Sequence, residues 1–188
     1  MNLKSPFRIG IKPKDGKQYV DELQIGDSKL IVNTSIEYAK DVNRIGVVFS
    51  LPFHYKGSLQ IGDEVVVHHN VFRITLNDNG VPMQSNYHLK DDLFFVDDNM
   101  IYLQIRDGKM IAYGDNVFVE PITEEDYWLG EQLLERQGIV KITNQSLKKI
   151  GVIEDTKVVF RKFCENEFNI FGKKYYKMDD KRILATLN

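Results

Sequence analysis

"VDDNMIYLQI" (residues 96–105) and "MDDKRILATL" (residues 178–187) share one spelling. Each runs apolar, Asp-Asp, two variable residues, Ile, then a mostly apolar tail. Upstream of each, a second echo appears. "GVVFSLPFHYKGSLQIGDEVVV" begins at Gly46 and reaches Gly62-Asp63, and "GIVKITNQSLKKIGVIEDTKVVF" begins at Gly138 and reaches Glu154-Asp155. Gly46 and Gly138 stand 92 residues apart, as do Ile61 and Ile153. Asp97 and Asp179 stand only 82 apart, as do Ile101 and Ile183. Copy one therefore carries about ten extra residues between these landmarks, a length that a loop absorbs at small entropic cost. The stretch "RITLNDNGVPMQSNYH" (73–88) takes them as a long hairpin tip, where copy two has the shorter "NEFNIFGKKYY" (166–176). A Gly-Asp step alone is any β-turn. The ordered series of landmarks is what argues for a tandem duplication. Two domains are expected, residues 1–107 and 108–188, divided near "RDGK" (106–109).

The strands read out of the same stretches. "RIGVVFSL" (44–51), "DEVVVHH" (63–69), "NMIYLQI" (99–105), "DNVFVEPI" (115–122), "GIVKIT" (138–143) and "TKVVFRKF" (156–163) are short and rich in Val, Ile and aromatics. Gly, Asp or Asn bounds most of them, the pattern of half-buried strands in barrels and sandwiches. The fold class is all-β. One segment, "TEEDYWLGEQLLERQ" (123–137), predicts a helix with Thr123 as cap and Asp126 in a capping-box position, against the helix-weakening Gly130. Composition is that of a globular chain, 43% hydrophobic and 28% charged. A net charge of −2 gives no footprint for nucleic acid. The one cysteine, Cys164, fits a reducing compartment. No run has the length of a membrane span and the start has no signal-peptide core, so a cytoplasmic protein is expected.

Copy two resembles the co-chaperonin (GroES, chaperonin-10) family. The resemblance rests on a turn and strand (Asp155, Val158, Val159, Phe160), a hairpin (Gly172, Tyr175, Tyr176, Met178) and a closing Asp-x-x-Ile-Leu-Ala (Asp180, Ile183, Leu184, Ala185). The family's opening strand is matched by Asp115, Val117 and Val119, and its Gly-x-Val strand by Gly138 and Val140. Residues 110–188 cover the whole family pattern; copy one matches from Gly46 to Ile105. Two features depart from it. Glu154 replaces the Gly of the turn, which Gly62 keeps, and neither copy carries the family's Gly-Gly-Ile-x-Leu-like loop triplet. The tandem form resembles the double-domain co-chaperonins of plastids.

The resemblance implies two GroES-like β-barrels with long hairpin and mobile-loop excursions. It implies no catalysis, cofactor or metal. Such a chain joins a ring-shaped homo-oligomer that caps a GroEL-like chaperonin ring, whose ATPase does the chemical work, and acts on unfolded clients indirectly. A loop that orders only on binding makes weak single contacts, which several loops on one ring multiply. In copy two the loop falls between Pro121 and Gly138, with Tyr127, Trp128, Leu129, Leu133 and Leu134 as candidates to touch the chaperonin. The plain alternative is a short amphipathic helix packed on its own barrel. In copy one the matching region is 25–44, where Leu30, Ile31 and Val32 form an apolar triplet. It reads as that copy's first strand, with a docking tip as the alternative. In the family the last strand pairs with the first strand of a neighbour, which places Val117, Val119, Ile183, Leu184 and Leu187 at an oligomer interface.

Other signals carry less. The histidines are His54, His68, His69 and His88, and two adjacent His on one strand face opposite ways, so a shared ion is not expected. There is no phosphate-binding or dinucleotide fingerprint. The competing functional class is a tandem-barrel structural or binding module, for example a component of a phage particle.

Overall fold

The computed structural model describes residues 3–19, 22–25, 28–31, 42–126, 130–164 and 166–187. The chain divides into two compact units, Met1–Lys109 and Met110–Asn188. In chain order the first holds β1 (Ile9–Pro13), β2 (Glu22–Ile25), β3 (Ser28–Ile31), β4 (Ile45–Ser50), β5 (Glu64–Val67), β6 (Thr75–Leu76), β7 (Pro82–Met83), β8 (His88–Lys90), β9 (Leu93–Val96) and β10 (Ile101–Arg106). The chain passes into the second unit along β11 (Lys109–Ala112). There follow β12 (Asn116–Asp126), β13 (Gly130–Ile142), α1 (Gln145–Lys149), β14 (Lys157–Phe160), β15 (Asn166–Ile170), β16 (Lys173–Asp179) and β17 (Ile183–Leu187). The protein is all-β, with antiparallel pairing throughout the ladders described below.

The two units have one strand order. The main sheet of the first reads β8-β9-β1-β4-β5-β10; that of the second reads β15-β16-β12-β13-β14-β17. In each, the first strand of the unit lies inside the sheet and the last lies beside the third of the shared series. Registers agree as well. Pro13 faces Gly46 and Pro121 faces Gly138; Ile11 faces Val48 and Val119 faces Val140. A register shift falls at the same step in both ladders, between Gly10 and Ile11 and between Phe118 and Val119. Ile9 faces Val96 as Val117 faces Met178. Ile101 faces Val67 as Ile183 faces Phe160. Barrel closure, in contrast, is not seen among the described residues: the end strands of each main sheet are not paired with one another there.

The first strand of each unit is buried on both faces, and its alternate residues enter different parts of the core. Ile9 and Ile11 of β1, and Val117 and Val119 of β12, are buried. In the first unit Phe72 and Phe94 meet edge to face at 4.9 Å between centroids. In the second, Val117, Val119, Val140, Val158, Phe160, Tyr176 and Met178 share one cluster, joined by Leu147 from α1. One exchange shows how the copies diverged. Phe118 is fully buried and meets Phe168 and Tyr175 at 5.9 and 6.4 Å. At the matching position stands Gly10, where a Cβ would lie 2.7 Å from Cζ of Phe49. A ring from the adjacent strand fills in copy one what Phe118 fills in copy two.

The Gly46 and Gly138 positions are set by close approach. A Cβ on Gly46 would lie 3.1 Å from the Lys12 carbonyl oxygen. On Gly138 it would lie 2.7 Å from the Glu120 carbonyl oxygen and would overlap Cγ1 of Val119. A Gly138→Ala chain should therefore lose about 1–3 kcal/mol by overpacking, and Gly46→Ala less. Calorimetry of the two variants checks this; an unchanged melting point for Gly138→Ala refutes it.

Two expectations are corrected. The helix over 123–137 is not formed by the described residues. β12 runs on to Asp126 and β13 starts at Gly130, with Thr123 facing Leu133 and Asp126 facing Gly130. The reason is local: Pro121 already faces Gly138 in an extended ladder, so the backbone continues as strand and the capping residue Thr123 is used in pairing. The first strand of copy one is likewise not at 30–32. It is β1, whose Ile-Gly-Ile-Lys-Pro matches Val-Phe-Val-Glu-Pro of β12. Leu30 and Ile31 lie on β3, which among the described residues pairs with β2 in a two-stranded hairpin.

Candidate functional site

Each unit has a long connection at the same point in its topology, between its first two shared strands. In the first unit this is the chain between Pro13 and Gly46; in the second it is the chain between Pro121 and Gly138. The β2–β3 hairpin, with Leu23 facing Leu30 and Glu22 facing Ile31, lies in the first. The second is an arm built by the outer halves of β12 and β13. After a register shift at Pro121–Thr123, Thr123 faces Leu133, Glu124 faces Gln132 and Glu125 faces Glu131. The arm carries Glu120, Glu124, Glu125, Asp126, Glu131 and Glu135 against Arg136. Arg136 sits at φ 63, and its Nε donates to the Phe160 carbonyl oxygen at 3.0 Å, fastening the base of the arm to β14.

The expected contact residues are placed as follows. Leu133 and Leu134 lie on β13, and Leu134 is half-buried. Tyr127, Trp128, Leu129 and Val32 lie outside the described residues. Val117 and Val119 are fully buried inside their own unit, and β12 has β16 on one side and β13 on the other. Neither side chain is open to a neighbour, and β1, between β4 and β9, is enclosed in the same way. Where the two ladders overlap, at Phe118 and Val119, no edge is left for a neighbour's strand to pair with. β17 is the edge of its sheet among the described residues, with Leu184 51% exposed and Leu187 39%.

The two units treat their last strands differently. In the first, Leu103 and Gln104 of β10 are buried. Asp63 locks the preceding segment onto that strand. Its Oδ1 accepts from Arg106 Nε at 2.7 Å, and its Oδ2 accepts from Arg106 Nη2 at 2.7 Å, from Gln104 Nε2 at 2.9 Å and from the Gln60 N–H at 2.7 Å. Burial pushes the carboxyl upward. The bonds from Arg106, the Gln60 N–H and Gln104 outweigh it and hold the pKa below the usual carboxylate range. The side chain of the matching Asp155 is exposed and accepts from Lys141 Nζ at 2.7 Å. In place of the lock, the second unit has α1, capped by Asn144, whose Oδ1 accepts from Leu147 N at 2.9 Å.

His68 and His69 follow β5 and do not diverge; their rings stack at 4.2 Å. The strand ends at Val67, so the alternation that separates adjacent side chains no longer applies. Burial, and then the charges of His68, Arg44 and Arg73, lower the His69 pKa to about 4. Its folded pKa lies below the unfolded value near 6.5, so the unfolded chain takes up the proton first as pH falls. Wild type should lose stability between about pH 6.5 and pH 4, and His69→Gln should lose less over that window. Parallel losses in denaturant titrations at pH 7 and pH 5 contradict this. Among the described residues no three His, Cys, Asp or Glu side chains gather as a metal set, and no helix is long and apolar enough to cross a membrane. Cys164 is buried, its Sγ 2.8 Å from the Arg161 carbonyl oxygen.

No protein-family model matches the chain. No curated protein is significantly similar to it in sequence.

The sequence signal for the arm was its doubled set of carboxylates beside Tyr-Trp-Leu. The signal for β1 was the repeated apolar-x-apolar-x-Pro. Nothing in the residue pattern marked the difference between the covered β10 and the bare β17, which depends on what lies over each strand.

Proposed function

We propose that this chain is a co-chaperonin lid subunit that caps an ATP-dependent chaperonin ring, in the cytoplasm, and so assists the folding of client proteins. The observation that carries the reading is the matched position of the two excursions. Two units of one strand order each send a long segment out between a Pro and the Gly that faces it. Repeated scaffolds with repeated projections suit a partner that presents the same site many times, where weak contacts sum through effective concentration. Self-association of the lid has its support in β17, an edge strand with exposed Leu184 and Leu187. Unpaired edges of this kind invite addition of another chain.

The test is direct. The protein is mixed with the chaperonin of its source organism, with and without ATP, and sedimented. A nucleotide-dependent complex and slowed ATP turnover are expected. Deletion of residues 124–136, and separately of 26–43, shows which arm docks: loss of the essential arm abolishes the complex while each variant still melts cooperatively. Absence of any nucleotide-dependent complex favours the structural or binding module.

A further inference from the structure

The stretch 73–88, where copy one carries its extra residues, rises to an exposed hairpin tip. β6 and β7 pair there at two positions, Thr75 with Met83 and Leu76 with Pro82. Between them run Asn77-Asp78-Asn79-Gly80-Val81. Asn77 organises this turn. Its carbonyl oxygen accepts from the Gly80 N–H at 2.8 Å. Its Oδ1 accepts from the Asn79 N–H at 3.0 Å and from the Val81 N–H at 2.9 Å. Gly80 closes the turn at φ 72°, a conformation that glycine takes without strain. Side-chain bonds fasten the hairpin lower down, where Ser85 Oγ donates to the Val71 carbonyl oxygen and Gln18 Nε2 to Gln84 Oε1. The tip buries little. Asp78, Asn79 and Gly80 are exposed, and Leu76, Val81 and Met83 are 42%, 53% and 50% exposed. A two-stranded ladder with so little apolar burial is marginal by itself and opens at small cost.

We propose that Asn79-Gly80 is a site of spontaneous chemical modification, at which the asparagine amide is lost and aspartate and isoaspartate are formed. When the tip opens, the Gly80 backbone nitrogen gives up its proton to solvent and attacks Cγ of Asn79. The N–Cγ bond forms, the Cγ–Nδ2 bond breaks, and the amide nitrogen takes up protons and leaves as ammonia. The cyclic imide then adds one water. Opening at Cγ gives aspartate; opening at the main-chain carbonyl carbon gives isoaspartate, with the chain now running through Cβ. Asn79 is the one asparagine in the sequence that precedes a glycine. A side chain on the attacking residue crowds its nitrogen, as at Asn70-Val71, Asn86-Tyr87 and Asn169-Ile170. Other turns of similar spelling are poor substrates. Asp15-Gly16 and Asp107-Gly108 present a carboxylate, whose negative charge repels the attacking nitrogen. Phe171-Gly172, at φ 49° and 78°, holds a bulky side chain in a disfavoured conformation and has no amide to lose. Asn77 is the brake: while its carbonyl oxygen holds the Gly80 N–H, the nitrogen keeps its proton. The product adds a negative charge to the tip, and isoaspartate also lengthens the backbone there and breaks the pairing of Leu76 with Pro82. None of this depends on the lid reading.

The experiment incubates the full chain in warm neutral buffer, beside a sample unfolded in urea. Peptide mass spectrometry follows every asparagine, and enzymatic methylation counts isoaspartate. In the folded protein Asn79 should convert before any other asparagine. Its folded rate should be slower than its unfolded rate by no more than about 10-fold, the protection given by a tip that frays. Asn77→Ala, which removes the Oδ1 that holds the turn, should bring the folded rate up to the unfolded one. Asn79→Gln should keep its amide over the same period, because the larger ring closes slowly. Converted protein, separated by its added charge, should lose amide protection over residues 75–83 and keep it in β4 and β5. A folded rate about 100-fold or more below the unfolded rate, the mark of a tip that stays closed, overturns the proposal. So does any other asparagine converting first. An Asn77→Ala chain no faster than wild type overturns the role given to Asn77.

Discussion

A Phe160→Ala chain is expected to lose about 3–5 kcal/mol, the range for removing a fully buried aromatic ring from a core. Phe160 is 0% exposed. It meets Tyr176 edge to face at 6.1 Å and belongs to the cluster that joins Val119, Val140, Leu147 and Met178. Four layers therefore lose contact at once: β12, β13, β16 and α1. Its neighbours cannot collapse easily, because Gly138 beside it already lies against the Glu120 carbonyl oxygen. The loss should be confined to Met110–Asn188, which is compact by itself. Amide exchange should show the second unit opening while the strands of the first keep their protection. Equal loss of protection in both units would show that the two unfold as one.

An Asp63→Ala chain is expected to lose about 1–3 kcal/mol, the cost of stranding the buried Gln104 amide and the part-buried Gln60 N–H that the carboxylate now satisfies. The sign with pH follows from the lowered pKa. The contribution of Asp63 is fully present above the unfolded carboxyl pKa near 4 and is lost as pH falls through the lower folded value. The gap between wild type and Asp63→Asn should accordingly narrow below about pH 4. Asp155 provides the internal control. It occupies the matching turn but pairs with Lys141 on the surface, where such a bridge contributes about 0–1 kcal/mol. Urea titrations of Asp63→Ala and Asp155→Ala compare the two; equal losses would mean that burial of Asp63 does not matter.

These unequal aspartates show where sequence reasoning ran out. The spelling Ile-(Gly/Glu)-Asp located both turns, since the backbone need that favours Gly or Asp there is local. Whether the carboxylate is buried depends on Arg106 and Gln104, more than forty residues away in the chain. Strand identity was legible wherever Val, Ile and aromatic residues alternate, as in 45–50 and 157–160. It failed at 123–137, where leucines at helical spacing and a Thr cap pointed one way and the ladder begun at Phe118 carried the backbone the other. It failed again at the start of copy one. The Ile-x-Ile-x-Pro of β1 is short, and its Gly10 stands where copy two has a phenylalanine, so the match is visible only once the pairing with Val48 and Gly46 is known. The disfavoured φ of Phe171 has no residue-type signature at all, because a Phe-Gly step is compatible with many turns.

The shared strand order also fixes a schedule for synthesis. β10 lies beside β5 and β17 beside β14, so each sheet gains its last shared ladder from residues made latest in its own unit. Translation proceeds from the N-terminus, and domains generally fold as they emerge. The first unit has all its shared strands once Arg106 has left the ribosome, while the second is still being assembled. The second cannot form its β14–β17 ladder until residues 183–187 are free, and until then β14 offers a bare flank in the nascent chain.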